Sequence, residues 1–399
     1  MGFNFPNTPT IGDLYPTPAL PGVPQYRWDG AVWTTTTYDP LTWVQRAGDT
    51  MTGALNVVTP PTLPAHAASK AYVDTRSASF DAMAYSGMQV NGSMEVSQEN
   101  STTQIVVGGT TAKYIIDGWI ASTSLSTGQL TYYQASLGGV IPGLTTMLQF
   151  HVGTTQAAMA ANDYARFQTH IEGWRFSRVA WGTAAAIPLT IGFWIRASLG
   201  GTYQLLVGNF DFTAGTGYIP FTVAPGGAFQ WVTVTVPAQT TGVWKTFSER
   251  GATIIFQMAS QTTPNLLATA SNYASIAGVV VLPGIYAPTA AQSPLIMRPY
   301  DQELVTCQRY YRKLGGRTFA DVMFFGYSNT NSVGTTLSVS PHMRATPAAA
   351  IFGTFTNINV AGQTLYPSVD GLSWQIAAIA AGHVSSYGNI GGFTLDARL

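Results

Sequence analysis

Between residues 83 and 300 the sequence repeatedly alternates apolar and polar side chains, and this pattern constrains the fold most strongly. In residues 189–197 a large apolar side chain recurs at every second position, and residues 232–236 and 254–258 repeat the pattern. Because successive side chains of a strand point to opposite faces, this period indicates strands with one buried face. Glycine-rich turns separate the alternating stretches. Many short strands joined in this way predict an all-β, jelly-roll-like β-sandwich.

A single helix is predicted after the sandwich, followed by a small β domain. Asp301 is expected to cap this helix, apolar residues recur at helical spacing from Leu304 to Leu314, and Gly315 is expected to end it. Strand patterns then return in three stretches, residues 351–360, 372–380 and 392–398. We therefore predict a sandwich over residues 83–316 and a C-terminal β tip domain over residues 317–399.

The N-terminal part of the chain has a different character. Residues 1–45 are rich in proline, which fixes φ and removes hydrogen-bond donors, so an extended, turn-rich segment is predicted. Asp29-Gly30 between two short apolar strands is a strong hairpin signal, and a lone hairpin requires a partner surface. Residues 64–74 suit a helix with a thin apolar stripe, which parallel copies from several chains would bury. Residues 46–82 are therefore predicted to form a short helical, trimeric neck.

Charge and composition limit the possible partners. Only 9% of the residues are charged, and 18 basic residues balance 18 acidic ones. No basic field is available for nucleic acid, and no apolar run approaches the roughly 20 residues needed to span a membrane. We therefore expect neither nucleic-acid binding nor membrane insertion. A chain with so little charge tends to associate, which indicates a component of an assembly. Cys307 is the only cysteine, which excludes an intrachain disulfide.

Several segments resemble bacteriophage and prophage tail fibre proteins. Residues 48–55 followed by residues 66–74 are similar to a module that recurs in those fibres. Residues 299–304 followed by residues 307–311 resemble a segment that closes a β-sandwich in many phage fibre and tail proteins. The opening residues 5–10, with the predicted hairpin, are similar to the virion-attachment ends of such fibres.

The resemblance implies a virion fibre or spike, usually a homotrimer, that joins a phage particle to a glycan on the host surface. Residues 1–45 would then attach to tail or capsid proteins, with Tyr26, Trp28 and Trp33 as the candidate anchoring residues. The protein would be assembled in the cytoplasm of a bacterial host and then belong to the virion. Many fibres carry several copies of the module at residues 48–55, whereas this chain has one, which indicates a short fibre.

Signatures of catalysis are sparse. The sequence contains no phosphate-binding loop, no Gly-x-Ser-x-Gly elbow and no His-Glu-x-x-His. His170 and Glu172 would share one face of a strand, and a hydrogen-bonded polar pair is the preferred interpretation. We expect binding without catalysis, with no cofactor and no metal. Two alternatives stay open: a capsule or lipopolysaccharide depolymerase, which needs a pair of carboxylates, and a purely structural head fibre or adaptor.

Aromatic side chains next to amides are the candidate glycan contacts, because ring faces stack on sugars and amides bind hydroxyl groups. If the N-terminus lies at the virion, the tip domain meets the cell first. Within it Tyr366, Trp374 and Tyr387 rank first, because each adjoins turn-forming residues. The aromatic residues of the sandwich are the next candidates: Trp119, Tyr132, Tyr133, Trp174, Trp181, Trp194, Trp231 and Trp244.

Overall fold

The computed structural model describes residues 4–20, 23–36, 87–316, 319–329 and 331–399. The chain divides into two compact units, residues 1–77 and 78–399. The predicted neck over residues 46–82, including the two fibre-like stretches within it, lies outside the described residues.

The first unit contains a small antiparallel sheet in the order β1-β2-β3. Its strands are β1 Leu14–Tyr15, β2 Tyr26–Trp28 and β3 Trp33–Thr35. Trp28 pairs with Trp33 across the predicted hairpin. In the turn, the carboxylate of Asp29 accepts hydrogen bonds from the backbone N–H groups of Ala31 and Val32, both at 2.8 Å. The predicted hairpin is therefore confirmed.

The hairpin has neighbours within this unit. β1 pairs with β2, and the ring of Phe5 lies 5.1 Å from the ring of Trp33, between centroids. The Phe5 ring also lies 5.4 Å from Tyr15 and 5.2 Å from Tyr26. Aromatic side chains bury large areas and so supply the contacts that such short strands lack. The proposed anchoring residues thus hold this sheet together, and their contact with a virion stays a prediction.

The second unit begins with a β-sandwich of two six-stranded antiparallel sheets. Its strands are β4 Ile105–Gly108, β5 Thr111–Ile116, β6 Trp119–Ser124, β7 Gln129–Ser136, β8 Thr146–Thr154, β9 Tyr164–Glu172, β10 Leu189–Ala197, β11 Gly201–Gly208, β12 Ile219–Val223, β13 Gln230–Val236, β14 Arg250–Ser260 and β15 Tyr273–Pro283. The first sheet has the order β13-β10-β15-β8-β7-β4, and the second has the order β12-β11-β14-β9-β6-β5. The all-β sandwich prediction is confirmed.

The core of the sandwich lies between the two sheets. Alternate residues of β10, including Ile191 and Phe193, are completely buried, as the period of two predicts. The ring of Phe193 on the first sheet lies 4.9 Å from the ring of Phe256 on the second, between centroids. Apolar side chains of both inner faces therefore form one continuous core.

Two short helices follow β9 and β15: α1 Gly173–Phe176 and α2 Tyr300–Gln308. The helix predicted from Asp301 to Leu314 is shorter than expected. Pro299 occupies the N-cap position, Asp301 lies in the first turn, and the last helical residue is Gln308. Residues 311–315 instead form a strand, because tertiary strand pairing outweighs local helical spacing. No helix in the described ranges is long and apolar enough to span a membrane.

The tip consists of two antiparallel sheets. Its strands are β16 Tyr311–Gly315, β17 Phe319–Ser328, β18 Ser332–Ser338, β19 Ala348–Ile358, β20 Val360–Pro367, β21 Gly371–Ala378 and β22 Gly382–Asp396. A four-stranded sheet has the order β16-β22-β17, with β19 also pairing with β22, and a three-stranded sheet has the order β18-β21-β20. β16, which lies before the predicted boundary at residue 316, pairs with β22. The boundary itself stays a prediction.

Hydrogen bonds and an ion pair join the segment after α2 and the C-terminal residue to the sandwich. The Arg309 Nη2 lies 2.6 Å from Oε1 of Glu172, at the end of β9, and the Tyr310 hydroxyl donates to Oε2 of Glu172 at 2.8 Å. The Tyr114 hydroxyl on β5 donates to the carbonyl oxygen of Leu399 at 2.9 Å. Glu172 is buried, so the contact that it makes with the segment after α2 is shielded from solvent.

Candidate ligand-binding site

The outer face of the second sheet carries a row of polar side chains. The strand register places Ser122, Arg166, Gln257 and Gln204 side by side on β6, β9, β14 and β11. Residues that are directly paired across strands point to the same face. Phe167, the next residue on β9, is completely buried in the core, so the row lies on the side that faces away from the core.

A cleft of about 510 Å³ opens over this row. Its lining combines the sheet face with the segment before β9, the segment after β14 and the turn before β12. The lining residues are Ser124, Ala161, Asn162, Asp163, Tyr164, Arg166, Gln204, Tyr218, Gln257, Ser260, Gln261 and Thr262. Pockets that hold small ligands typically measure about 300–1,000 Å³, so the cleft has the size of such a site.

Arg166 contacts both aromatic side chains of the cleft. Its guanidinium carbon lies 3.5 Å from the centroid of the Tyr164 ring. Its Nη2 donates to the Tyr218 hydroxyl at 2.9 Å, and its Nε donates to Oε1 of Gln257. Because Arg166 is fixed at three points, the two tyrosines are held in place before any ligand arrives. The side chain of Tyr218 is 44% exposed, so its ring is available for contact.

Amide side chains supply most of the remaining polar atoms. Gln204 accepts a hydrogen bond from Thr262 Oγ1 at 3.2 Å, which orients the amide at the edge of the cleft. Asn162 and Gln261 are exposed on the two rim segments. An amide offers both a donor and an acceptor, as a hydroxyl-rich ligand requires. The cleft lining holds one basic side chain, Arg166, and one acidic side chain, Asp163, and among the described residues no ion pair to Arg166 is found.

Asp163 is the one carboxylate in the described lining, and it already accepts several hydrogen bonds. Its Oδ2 lies 2.9 Å from the backbone nitrogen of Ala160, 2.9 Å from Oγ of Ser126 and 2.5 Å from Nε2 of Gln156. Burial raises the pKa of Asp163, but these hydrogen bonds more than offset it, so that the pKa lies below its usual range. Asp163 therefore stabilises the rim in its ionised form. The arrangement suits binding by ring contacts and hydrogen bonds.

The other end of the same sheet face is covered. His170 and Glu172 continue the outward row of β9, as predicted, and each is hydrogen bonded. Nδ1 of His170 lies 3.0 Å from Oγ1 of Thr253 on β14, and Glu172 binds Arg309 and Tyr310. Residues after α2 thus close this end of the face, and the cleft is open at the end where β9 begins.

We expect His170 to lower the free energy of unfolding as the pH falls. Burial, with a smaller effect from the charge of Arg250, lowers the pKa of His170 to about 3. The unfolded chain binds the proton near its ordinary pKa of about 6.5, so stability is lost as the pH falls below that value. Between pH 7 and pH 5 the free energy of unfolding should decrease by about 2 kcal/mol from this group. Urea unfolding at both pH values should show a smaller decrease in the free energy of unfolding for His170→Gln than for the parent. Equal decreases in the two proteins would mean that His170 is charged in the folded state.

The tip residues predicted from the sequence do not form one site. Trp374 is completely buried, and its Nε1 donates to Oε1 of Gln363 at 3.0 Å, so its ring has no free face for a sugar and the residue is removed from the candidates. The reason is that β21 runs through the middle of its sheet and turns Trp374 into the core of the tip. Tyr366 is exposed on β20 and Tyr387 is half-buried on β22, in different sheets. Both remain predictions as ligand contacts.

Sequence reasoning missed Tyr164, Arg166 and Tyr218. A usable signal exists in residues 164–170, where Tyr, Arg, Gln and His alternate with Ala, Phe and Thr. The outer face of this strand therefore carries long polar side chains, whereas the outer faces of neighbouring strands carry mostly Thr and Ser. The partners of that strand were needed to identify the cleft. Among the ranked aromatic residues of the sandwich, Trp119 and Tyr132 are completely buried and Trp174 is exposed.

No protein-family model matches the chain, and no curated protein matches it. Solved structures are similar to parts of it. The enzymatically active domain of tailspike protein 4 of bacteriophage CBA120 is 11% identical with a TM-score of 0.29, over 50% of this chain and 22% of that chain. The family 11 carbohydrate-binding module of Clostridium thermocellum is 8% identical with a TM-score of 0.26, over 46% and 98%. TmCBM61, solved with β-1,4-galactotriose, is 11% identical with a TM-score of 0.25, over 41% and 88%. Likenesses this distant assign no function to the chain.

Proposed function

We propose that this protein binds a surface polysaccharide of a bacterial host through the cleft on the second sheet, without catalysis. The observation that carries the proposal is the arrangement of Tyr164 and Tyr218 around Arg166, beside the amides of Gln204 and Gln257. Two rings held by one guanidinium form a fixed apolar surface next to polar groups. This combination is what a sugar ring requires.

The chemistry of a sugar explains why each part of the cleft is needed. A pyranose has an apolar face of C–H groups, which packs on an aromatic ring, and a rim of hydroxyl groups, which need donors and acceptors. Gln204 and the exposed Asn162 and Gln261 supply both kinds of group, while the buried amide of Gln257 holds Arg166 in place. A buried polar group left without its partner is costly, so this rim would discriminate against a sugar that lacks a hydroxyl group.

The proposal extends to the assembly in which the protein works. The resemblance to phage fibres and the low charge support a homotrimer, formed through residues 46–82 and the flank of the sandwich, that belongs to a virion. Residues 1–45 would attach it to tail or capsid proteins. Linked copies would multiply weak sugar contacts by about 10²–10⁴ when several bind one surface. Weak single sites are therefore sufficient for attachment.

Replacing Tyr218 or Tyr164 with alanine should weaken glycan binding by about fivefold for each ring, because a ring contact contributes about 1 kcal/mol. Oligosaccharides first selected on a glycan array would be titrated into the purified protein by calorimetry. Melting temperatures should stay close to that of the parent, because neither side chain is buried in the core.

Tyr366→Ala is the matched comparison, because Tyr366 is a similarly exposed tyrosine on the tip. If the cleft holds the ligand, Tyr366→Ala leaves the affinity unchanged and the prediction that Tyr366 contacts the ligand is wrong. If Tyr366→Ala weakens binding and Tyr218→Ala does not, the ligand contacts the tip and the cleft proposal is wrong. Incubation of the purified protein with host polysaccharide should release no reducing ends. Release that disappears on replacing a carboxylate would support the depolymerase alternative instead.

A further inference from the structure

A second cavity, of about 660 Å³, lies between α1 and α2 and is separate from the cleft. One wall is formed by α1 and the turn after it, and the other by one face of α2. The lining residues are Gly87, Trp174, Arg175, Arg178, Arg298, Asp301, Gln302, Val305 and Thr306. None of these residues lines the cleft on the second sheet.

The ring of Trp174 lies at the edge of this cavity, next to Phe247. It is 55% exposed, and its centroid lies 5.1 Å from that of Phe247 in an edge-to-face arrangement. The backbone N–H of Trp174 donates to the carbonyl oxygen of Phe247 at 2.9 Å. Gly173 permits this close approach, because a Cβ at that position would lie 2.6 Å from the carbonyl oxygen of Lys245. Contacts that position a ring before the ligand arrives reduce the entropy that the ring loses on binding.

The charges of the cavity favour an anion. Its lining holds three guanidinium groups and one carboxylate, that of Asp301. The charge of Arg298 is balanced by Glu303, whose Oε2 lies 2.8 Å from Nη1 of Arg298. The pKa of Arg178 is lowered by burial and by the positive charges of Arg175 and Arg298, so both of these charges act on Arg178.

Arg175 is the group best suited to bind that anion. It is half-buried, and within the described part of the chain its side chain has no hydrogen-bond or ion-pair partner. A planar guanidinium binds a carboxylate through two parallel hydrogen bonds. Trp174 and Arg175 both line the cavity, so the exposed ring and the charge are available to one ligand.

We propose that this cavity binds an acidic sugar unit, that is, a pyranose that carries a carboxylate. Arg175 takes the carboxylate, the face of Trp174 packs on the sugar ring, and Asp301 accepts hydrogen bonds from hydroxyl groups. The carboxylate of Asp301 also repels the acid group of the ligand and so selects the orientation that directs it to Arg175. This site acts independently of the cleft, so the protein would recognise a polysaccharide with both neutral and acidic units.

Titration of the full chain with D-glucuronate, using methyl glucoside and inorganic phosphate as comparison ligands, tests the proposal. Glucuronate should bind more tightly than either comparison ligand, and more weakly at 0.5 M salt. Arg175→Gln and Trp174→Ala should each lower its affinity by at least tenfold, and Arg175→Lys should retain part of it. Lys113→Gln, which removes an exposed charge on β5, and Tyr218→Ala in the cleft should leave the glucuronate affinity unchanged.

Three results would overturn the proposal. Glucuronate binding that survives both Arg175→Gln and Trp174→Ala places the acid elsewhere. Phosphate binding as tight as glucuronate binding means that the cavity holds a simple anion and not a sugar. Absence of glucuronate binding by a correctly folded chain, judged from its melting temperature, excludes the site. Because Tyr218→Ala acts on the cleft alone, failure of the cleft proposal is measured separately.

Discussion

Replacing Trp374 with alanine should destabilise the tip by about 3–5 kcal/mol, the usual cost of removing a large aromatic side chain from a core. The Trp374 ring lies 4.9 Å from the ring of Phe393 and 6.0 Å from that of Phe324, between centroids. Its loss would leave a cavity between the two sheets of the tip and would remove the donor that pairs with Gln363. Thermal unfolding, followed by near-ultraviolet circular dichroism, should show that the tip of the variant unfolds at a lower temperature than that of the parent.

Tyr366→Ala provides the control for this experiment. Tyr366 is 53% exposed and lies on the neighbouring strand of the same sheet, so its removal should change stability by less than about 1 kcal/mol. Similar melting curves for Trp374→Ala and the parent would mean that Trp374 is not part of a packed core. In that case it would return to the list of candidate ligand contacts.

Glu303→Ala should cost about 3–5 kcal/mol, because it leaves the charge of Arg298 buried without its partner. The side chains of Arg298 and Glu303 are 5% and 3% exposed. Glu303 Oε1 also accepts a hydrogen bond from the backbone N–H of Asn91 at 2.7 Å, which the variant loses. This network joins α2 to the first residues of the sandwich. Chemical unfolding of the full chain should measure the loss.

Glu249→Ala is the matched control, because Glu249 forms an ion pair with Lys245 at 3.1 Å while its side chain is 57% exposed. Exposed ion pairs contribute about 0–1 kcal/mol, so this variant should unfold almost as the parent does. Replacing both buried partners, as Arg298→Met with Glu303→Leu, should recover much of the stability that Glu303→Ala loses. Equal effects of Glu303→Ala and Glu249→Ala would show that the Arg298–Glu303 pair is solvated.

Local patterns predicted some elements correctly and failed where distant segments interact. The strands at residues 189–197 and 232–236 follow directly from their period of two, and both lie within the sandwich. The helix after Asp301 was predicted too long, because its last residues pair with β22, about 80 residues further along the chain. Spacing alone cannot represent that pairing, since its energy comes from a strand that is remote in sequence.

The sequence by itself determined that this chain is all-β, with strands that bury one face and little charge on the other. This follows from side-chain alternation, which is a local property. Only the tertiary structure decided which parts of an outer face are open. Tyr164 and Glu172 lie on the same face of β9, yet Glu172 is covered by Arg309, 137 residues later, while Tyr164 lines a cleft. Solvent access depends on which segments pack on a strand. Those segments are remote in the sequence, so no local pattern of residues predicts the packing.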